Sequence, residues 1–510
     1  MRSKKLKFRK ESFISLNVLP LVIFGIFFVT SCTLSEPKVQ KIDTFLSACS
    51  EKELFNGAVL IVENGDIIYH KTFGFASYST REPLTKKSQF RLASVSKQFT
   101  AMAIMILKER GQLKYDDNIR EYLPELPYKN IIIRNLLNHT SGLPEHSPLM
   151  EKYWDVEKKN QIDRKIATNE DVIALFAKIQ PELLFDPGQQ WKYCNTGYVF
   201  LASIVCRISG QSFREFLNQN IFKPAKMFSS AVFDPDDLKQ LNHRVYGFRK
   251  YVLDQDYTDI DFHFTHGIAG DGGIYSTAED LFKWDQILYT ENLVSRTTLE
   301  EAFTKGTLND GSKHTYGFGW YVDQTNSGKK VVRHAGGWVG FRTFIDREID
   351  NKNVFIILTN NSNLYAREIR EALINIFHER PFNFPKISIA MTIGPIIGSE
   401  GIDAALQTYR MLQNEHSDQY NFAEPIINFL GYQLVNRKKY KEAIKIFKLN
   451  VAEYPGSFNV YDSLAEAYML DGQNEMAIQN FQKSLQINPE NENARANLGR
   501  LSKNKKMYPN

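Results

Sequence analysis

Cysteine is scarce in this 510-residue chain, which carries only Cys32, Cys49, Cys194 and Cys206. So few cannot form the complete disulfide framework on which small exported folds depend. Metal-ligand spacing is missing as well: the ten histidines are scattered with no zinc-type pattern among them, so neither a metal nor a cofactor is expected. Charge of one sign is also lacking. The formal net charge is +5, and the six basic groups and one acid of residues 1–31 account for all of it. A chain that is neutral from residue 32 onward offers nucleic acid no basic surface.

What is present begins with a leader. Arg2, Lys4, Lys5, Lys7, Arg9 and Lys10 precede a mostly apolar run from Phe13 to Val29, and Val29, Thr30, Ser31 and Cys32 follow. This is the layout of a secretory signal. Small residues before a cysteine resemble the bacterial lipobox, which implies cleavage before Cys32 and lipid attachment to it. Residues 1–31 then read as a lipoprotein signal peptide and 32–37 as a lipidated tether. The protein is expected in the bacterial cell envelope, anchored to a membrane and facing the periplasm or the exterior. The alternative is an uncleaved membrane anchor, against which Asn17 and Pro20 interrupt the run. Leu46 to Cys49 imitate a second lipobox, but no apolar segment precedes them and they fall within a helical pattern.

The length suits about three domains. A helical pattern covers Lys38 to about Glu53. Two β-rich runs, Gly57 to Val62 and Ile67 to Phe75, flank Glu63, Asn64, Gly65 and Asp66, a hairpin turn by composition. Helical segments fill the middle, among them Asp171 to Ile179 and Val199 to Ile208. β runs return at Tyr316 to Val322, Lys330 to His334, Phe341 to Asp346 and Val354 to Thr359, before a helix from about Tyr365 to Phe377. Strands at both ends with helices between them predict one antiparallel sheet assembled from the two chain ends.

One stretch concentrates the chemistry. From Phe90, Arg91, Leu92, Ala93 and Ser94 the chain runs through Lys97 into a nearly continuous apolar series ending at Leu107, which predicts a buried helix opening at Ser94. Residues three apart share a helix face, so Lys97 would bring an amine to the Ser94 hydroxyl. A helix N-terminus adds backbone N–H groups suited to an oxyanion. Three other Ser-x-x-Lys matches, at Ser35, Ser327 and Ser502, fall in polar, linker-like segments. Serine is a poor nucleophile unless a proton acceptor is held against it. Tyr193 and Asn195 are candidates to assist, between the Pro187–Gly188 turn and a buried helix. His334 with Gly336 and Gly337 is a third, where two glycines would let a ligand lie against a strand.

Together these resemble the penicillin-recognising serine hydrolases, in the branch of class C β-lactamases, related esterases and D-amino-acid peptidases. Ser-x-x-Lys falls on Ser94 and Lys97, Tyr-x-Asn on Tyr193 and Asn195, and the third motif on His334 to Gly336, with His139 to Pro144 and Gly272 to Asp280 as further landmarks. The resemblance covers residues 38–380. It implies an α+β fold of the β-lactamase/transpeptidase type, an α/β/α sandwich with a helical subdomain, and an acyl-enzyme on Ser94. Tyr193 and Lys97 would share the proton. A Lys97 ammonium at about 4 Å would favour the Tyr193 phenolate by ~4 kcal/mol, and desolvation could instead favour a neutral Lys97. Asn195 would hold the amine and the substrate amide. His334 and Gly336 would bind substrate, and the Ser94 and Gly337 N–H groups would form the oxyanion hole. With His334 where the family often has lysine, the resemblance favours an ester or D-amino-acid peptide over a β-lactam.

Beyond Pro381 to Pro385 the composition changes. Leu430, Gly431, Ala443, Phe447 and Pro455 recur 34 positions later as Leu464, Ala465, Ala477, Phe481 and Pro489. The period resembles tetratricopeptide repeats, which implies a linker over 381–400, an all-α repeat domain over 401–505 and a docking surface for a protein partner. Two other functions compete with a hydrolase acting on a small-molecule or peptide substrate. One is a sensor that acylates once or binds wall fragments; the other is a repeat scaffold.

Overall fold

Continuous apolar runs from the two ends of the chain meet in one sheet. The computed structural model describes residues 37–154, 166–234, 241–325, 327–362 and 365–507, the last five as backbone. The expected leader and Cys32 lie outside the described residues. The described residues from Lys38 onward form one compact unit. Its central sheet is built from β1 (Gly57–Glu63), β2 (Asp66–Phe73), β3 (Tyr321–Gln324), β4 (Lys330–Trp338), β5 (Phe341–Glu348) and β6 (Asn353–Thr359). The order is β3-β4-β5-β6-β1-β2, and every pairing is antiparallel. The β1–β2 turn uses Asn64 at φ 54° and Gly65 at φ 93°, the left-handed pair that a tight hairpin requires.

Strand periodicity divides the core in two. On one face Val59, Ile61, Phe355 and Ile357 pack against α1 (Lys38–Glu51) and α4 (Ala366–Phe377) through Ile42, Leu46, Ile369 and Leu373. Cys49 is buried in that layer. On the other face Leu60, Val62, Ile356 and Leu358 join the large core that contains α2 (Lys97–Glu109) and α3 (Asn195–Ser209). The sandwich has the expected three layers. The β run expected from Tyr316 is shorter: a turn at Gly317–Gly319 (Gly319 φ 78°) delays the strand to Tyr321.

Residues 381–400, expected as a linker, hold a helix instead. α5 (Ile389–Ser399) buries Ile389, Ile393 and Ile397. It is followed by α6 (Ile402–Glu415), α7 (Glu424–Asn436), α8 (Tyr440–Glu453), α9 (Phe458–Leu470), α10 (Asn474–Ile487) and α11 (Glu492–Met507). α9 starts 34 residues after α7, and α10 34 after α8. The reason for small residues at the repeat position is visible at Gly431, where a Cβ would lie 2.3 Å from the Phe447 ring. The helical array is not separate from the sheet-bearing part. Val252 and Leu253 belong to its core, Gly394 is pressed against the Val252 carbonyl, and Arg437 pairs with Asp254 at 2.7 Å.

Candidate active site

The stretch around Ser94 is strand, tight turn and helix in succession, and the helix predicted to open at Ser94 becomes α-helical only from Lys97. Phe90–Arg91 pairs with Ile274–Ser276, and Ala93 then takes φ 50°, a conformation a non-glycine residue adopts at a cost. A 3₁₀ turn, Ala93–Ser96, leads into α2, whose first residue is Lys97. The predicted proximity survives the change of helix type, because positions i and i+3 eclipse in a 3₁₀ turn. Lys97 Nζ lies 3.1 Å from Ser94 Oγ.

Lys97 is fully buried. Its amine also donates to Asn195 Oδ1 and to the Asp271 backbone carbonyl, both at 2.7 Å. Burial pushes its pKa down to about 8, against the opposing pull of Asp271 and Glu145. Asn195, the first residue of α3, is held at both ends. Its Oδ1 accepts from Lys97, and its Nδ2 donates to Glu145 Oε1 at 3.1 Å. Glu145 also accepts from the Asn195 backbone N–H at 3.0 Å. The carboxylate therefore fixes which way the Asn195 amide faces.

Tyr193 lies in the loop before α3, its ring centroid 5.0 Å from Lys97 Nζ and 4.2 Å from the His139 ring. Its buried hydroxyl makes no hydrogen bond, yet the Ser94 hydroxyl is the neighbour that most favours its ionisation. The two hydroxyls are thus close enough to interact without being aligned. Burial nevertheless dominates and raises the phenol pKa well above its usual value. Of the two alternatives the sequence left open, this favours a neutral Lys97 over a Tyr193 phenolate. Desolvation acts on both groups, and it leaves the phenol protonated while making the amine easier to deprotonate.

His334 on β4 is buried and neutral. Its Nδ1 lies 2.8 Å from the Ala335 carbonyl, to which it donates, so Nε2 accepts from the Tyr316 hydroxyl at 2.8 Å. Burial, and then Lys97, push its pKa down to about 3. The two glycines after it differ. A Cβ on Gly336 would lie 2.2 Å from the Leu92 carbonyl oxygen and 2.3 Å from Thr343 Oγ1, so protein occupies the space expected for a ligand. Gly336 lets β4 close onto the Ser94 turn. Gly337 meets nothing nearer than Arg342 Nη1 at 3.5 Å.

Ser94, Asn195 and Gly337 line one cavity of about 90 Å³ together with Arg91, Asp271 and Trp338. A cavity of about 860 Å³ elsewhere, lined by Asn169, Ser203 and Phe213, holds none of the three motifs. Four contributors carried no sequence assignment. Glu145 directly follows the His139 to Pro144 landmark, and Arg91 lies inside the Ser94 stretch, so position could have flagged both. Asp271 holds Lys97 through its backbone, and Tyr316 precedes His334 by 18 residues; neither left a signal in side-chain type.

A family model described as Beta-lactamase matches residues 42–376, well over half of the chain. Penicillin-binding protein 4* of Bacillus subtilis (strain 168) is 36% identical over 363 residues, covering 69% of this chain and 79% of the relative. A D-aminopeptidase of Brucella anthropi is 27% identical over 297 residues, covering 56% of this chain and 52% of the relative, so the match spans about half of that enzyme. Among solved structures, the octameric penicillin-binding protein homologue from Pyrococcus abyssi superposes with a TM-score of 0.58 at 26% identity, over 67% of this chain and 78% of that one. The chain therefore belongs to the β-lactamase family of penicillin-binding-protein-like serine hydrolases, which includes D-aminopeptidase relatives.

Proposed function

We propose that the protein is an acyl-transfer serine hydrolase in which Ser94 is the nucleophile and Lys97 the base that activates it. The observation that carries this reading is the buried Lys97 amine, 3.1 Å from Ser94 Oγ, with its pKa pushed down to about 8. A neutral amine keeps two hydrogens. The two 2.7 Å acceptors, Asn195 Oδ1 and the Asp271 carbonyl, hold them and leave the lone pair facing the serine hydroxyl. Ser94 then gives its proton to Lys97 as Oγ attacks a carbonyl carbon, and the C–O bond of an acyl-enzyme forms. Tyr193, kept protonated by burial, stands beside Oγ and relays to the departing alcohol or amine the proton that Lys97 received, giving its own and taking the Lys97 proton in its place, so that both groups end as they began. Backbone N–H groups of Ser94 and Gly337 would receive the oxyanion, and water then releases the acyl group.

The D-aminopeptidase relative and the neutral His334 favour esters or D-amino-acid peptides over β-lactams as substrates. The 34-residue helix spacing and the Gly431–Phe447 fit support a tetratricopeptide-type array over residues 401–505 that docks a protein partner. The leader supports a lipid-anchored envelope protein. In the test, Ser94→Ala abolishes both labelling by a serine-reactive probe and turnover of a p-nitrophenyl ester. Undiminished turnover would reject Ser94, and stoichiometric labelling of wild type without turnover would indicate a sensor instead.

A further inference from the structure

Four cations gather where the helical array meets the sheet-bearing part. Lys52 directly follows α1, Arg249 and Lys250 lie on the short strand Phe248–Lys250, and Arg342 is on β5. All four line one cavity of about 410 Å³. Among the described residues none of the four is in an ion pair. Lys52, Arg249 and Lys250 rest over the rings of Phe384, Tyr251 and Tyr257 at 5.0, 5.8 and 5.7 Å, contacts that attract the charge but take up none of its donors. Arg342 commits only Nη1, to the Trp338 and Phe341 carbonyls at 3.1 and 2.7 Å. Burial, and then Arg249, push its pKa down, as happens when a guanidinium faces a second cation instead of a carboxylate.

Among the described lining residues a single carboxylate, Glu53, stands against these four charges, and nearby Asp254 is held by Arg437 at 2.7 Å. Like charges around a cavity focus a positive field within it. The helical array adds a wall of different character, Met391 from α5 and Phe429 from α7, and Phe429 is left 47% exposed. We propose that this junction binds an anionic amphiphile, with a phosphate or carboxylate head held by Arg249 and Arg342 and an apolar chain laid against Met391 and Phe429. Planar guanidinium donors match either head group, and the volume suits a small ligand. None of the described lining residues belongs to the three motifs, so binding here does not depend on the chemistry at Ser94.

Calorimetric titration of the full chain compares octyl phosphate and octanoate with 1-octanol, all below the concentrations at which they self-associate. At least one anion is expected to bind about tenfold or more tightly than the alcohol, and the tighter of the two identifies the head group. Arg249→Gln lowers that affinity about tenfold. Phe429→Glu, which sets a carboxylate on the apolar wall, lowers it by a similar factor. Both side chains are exposed, so the fold tolerates their replacement. Lys313→Gln removes an exposed charge elsewhere and leaves the affinity within about twofold of wild type. Anions that bind no more tightly than the alcohol, no detectable binding of either anion, or an Arg249→Gln or Phe429→Glu chain that binds like Lys313→Gln overturns the assignment.

Discussion

Replacing Gly336 by alanine tests how tightly β4 is closed onto the nucleophile turn. The new Cβ would sit 2.2 Å from the Leu92 carbonyl oxygen, 2.3 Å from Thr343 Oγ1 and 3.2 Å from the Ala93 Cβ. Ordinary contact begins at about 3.4 Å, so roughly 1 Å of movement is needed. Neither oxygen can retreat alone, because Thr343 Oγ1 donates to the Leu92 carbonyl at 2.6 Å. The movement therefore passes to the turn carrying Ser94, two residues on. A misplacement of that size costs about 10²-fold in rate, and overpacking of this kind about 1–3 kcal/mol of stability. Gly337→Ala is the control: its nearest neighbour is a side-chain nitrogen at 3.5 Å, and its stability should stay within about 0.5 kcal/mol of wild type. The assay is the second-order rate of Ser94 acylation by a fluorophosphonate probe, with urea unfolding in parallel. Gly336→Ala acylating within about threefold of wild type at unchanged stability would show that the closure does not position the nucleophile.

Three further outcomes follow from the same geometry. Acylation needs neutral Lys97, whose pKa burial lowers to about 8; log kcat/KM should rise with unit slope up to about pH 8 and then level, since the Tyr193 phenol is raised well clear of that range. A profile flat from pH 6 to 9 would remove Lys97 as the base. Glu145 pulls the Lys97 pKa upward and braces Asn195, so Glu145→Ala should move the acid limb to lower pH while kcat falls about tenfold, and an upward move would contradict its role. Asp285 and Arg347 form an ion pair with both side chains fully buried, 2.5 Å apart; Asp285→Asn leaves the guanidinium without its charge partner and should cost about 3–5 kcal/mol in urea unfolding, with a loss below about 1 kcal/mol showing that the site relaxes.

Much of the architecture was legible because it repeats locally. The unbroken apolar runs Val59 to Val62 and Val354 to Leu358 mark strands buried on both faces, and Asn64–Gly65 marks the hairpin between β1 and β2. The 34-residue offset that carries Gly431 to Ala465 and Phe447 to Phe481 reappears as the spacing of α7 to α9 and α8 to α10. The helix within 381–400 was not legible, because Pro385 and Pro395 look like breakers and the burial of α5 depends on Val252, more than a hundred residues earlier. The single helix expected from Ser94 became a turn followed by a helix, because pairing of Phe90–Arg91 with Ile274–Ser276 fixes the chain direction at a point propensity cannot see.

The sequence by itself determined the order of the three motifs, the candidate reactive groups and the antiparallel sheet joined from both chain ends, since each depends on residue type and short-range spacing. The tertiary structure alone decided how those groups behave. Lys97 became the amine that burial makes easier to deprotonate and Tyr193 the phenol that burial holds protonated at rest; Gly336 serves packing while Gly337 faces the cavity. Each of these outcomes is a sum over neighbours drawn from distant parts of the chain, because desolvation and close contact depend on what surrounds a group in space.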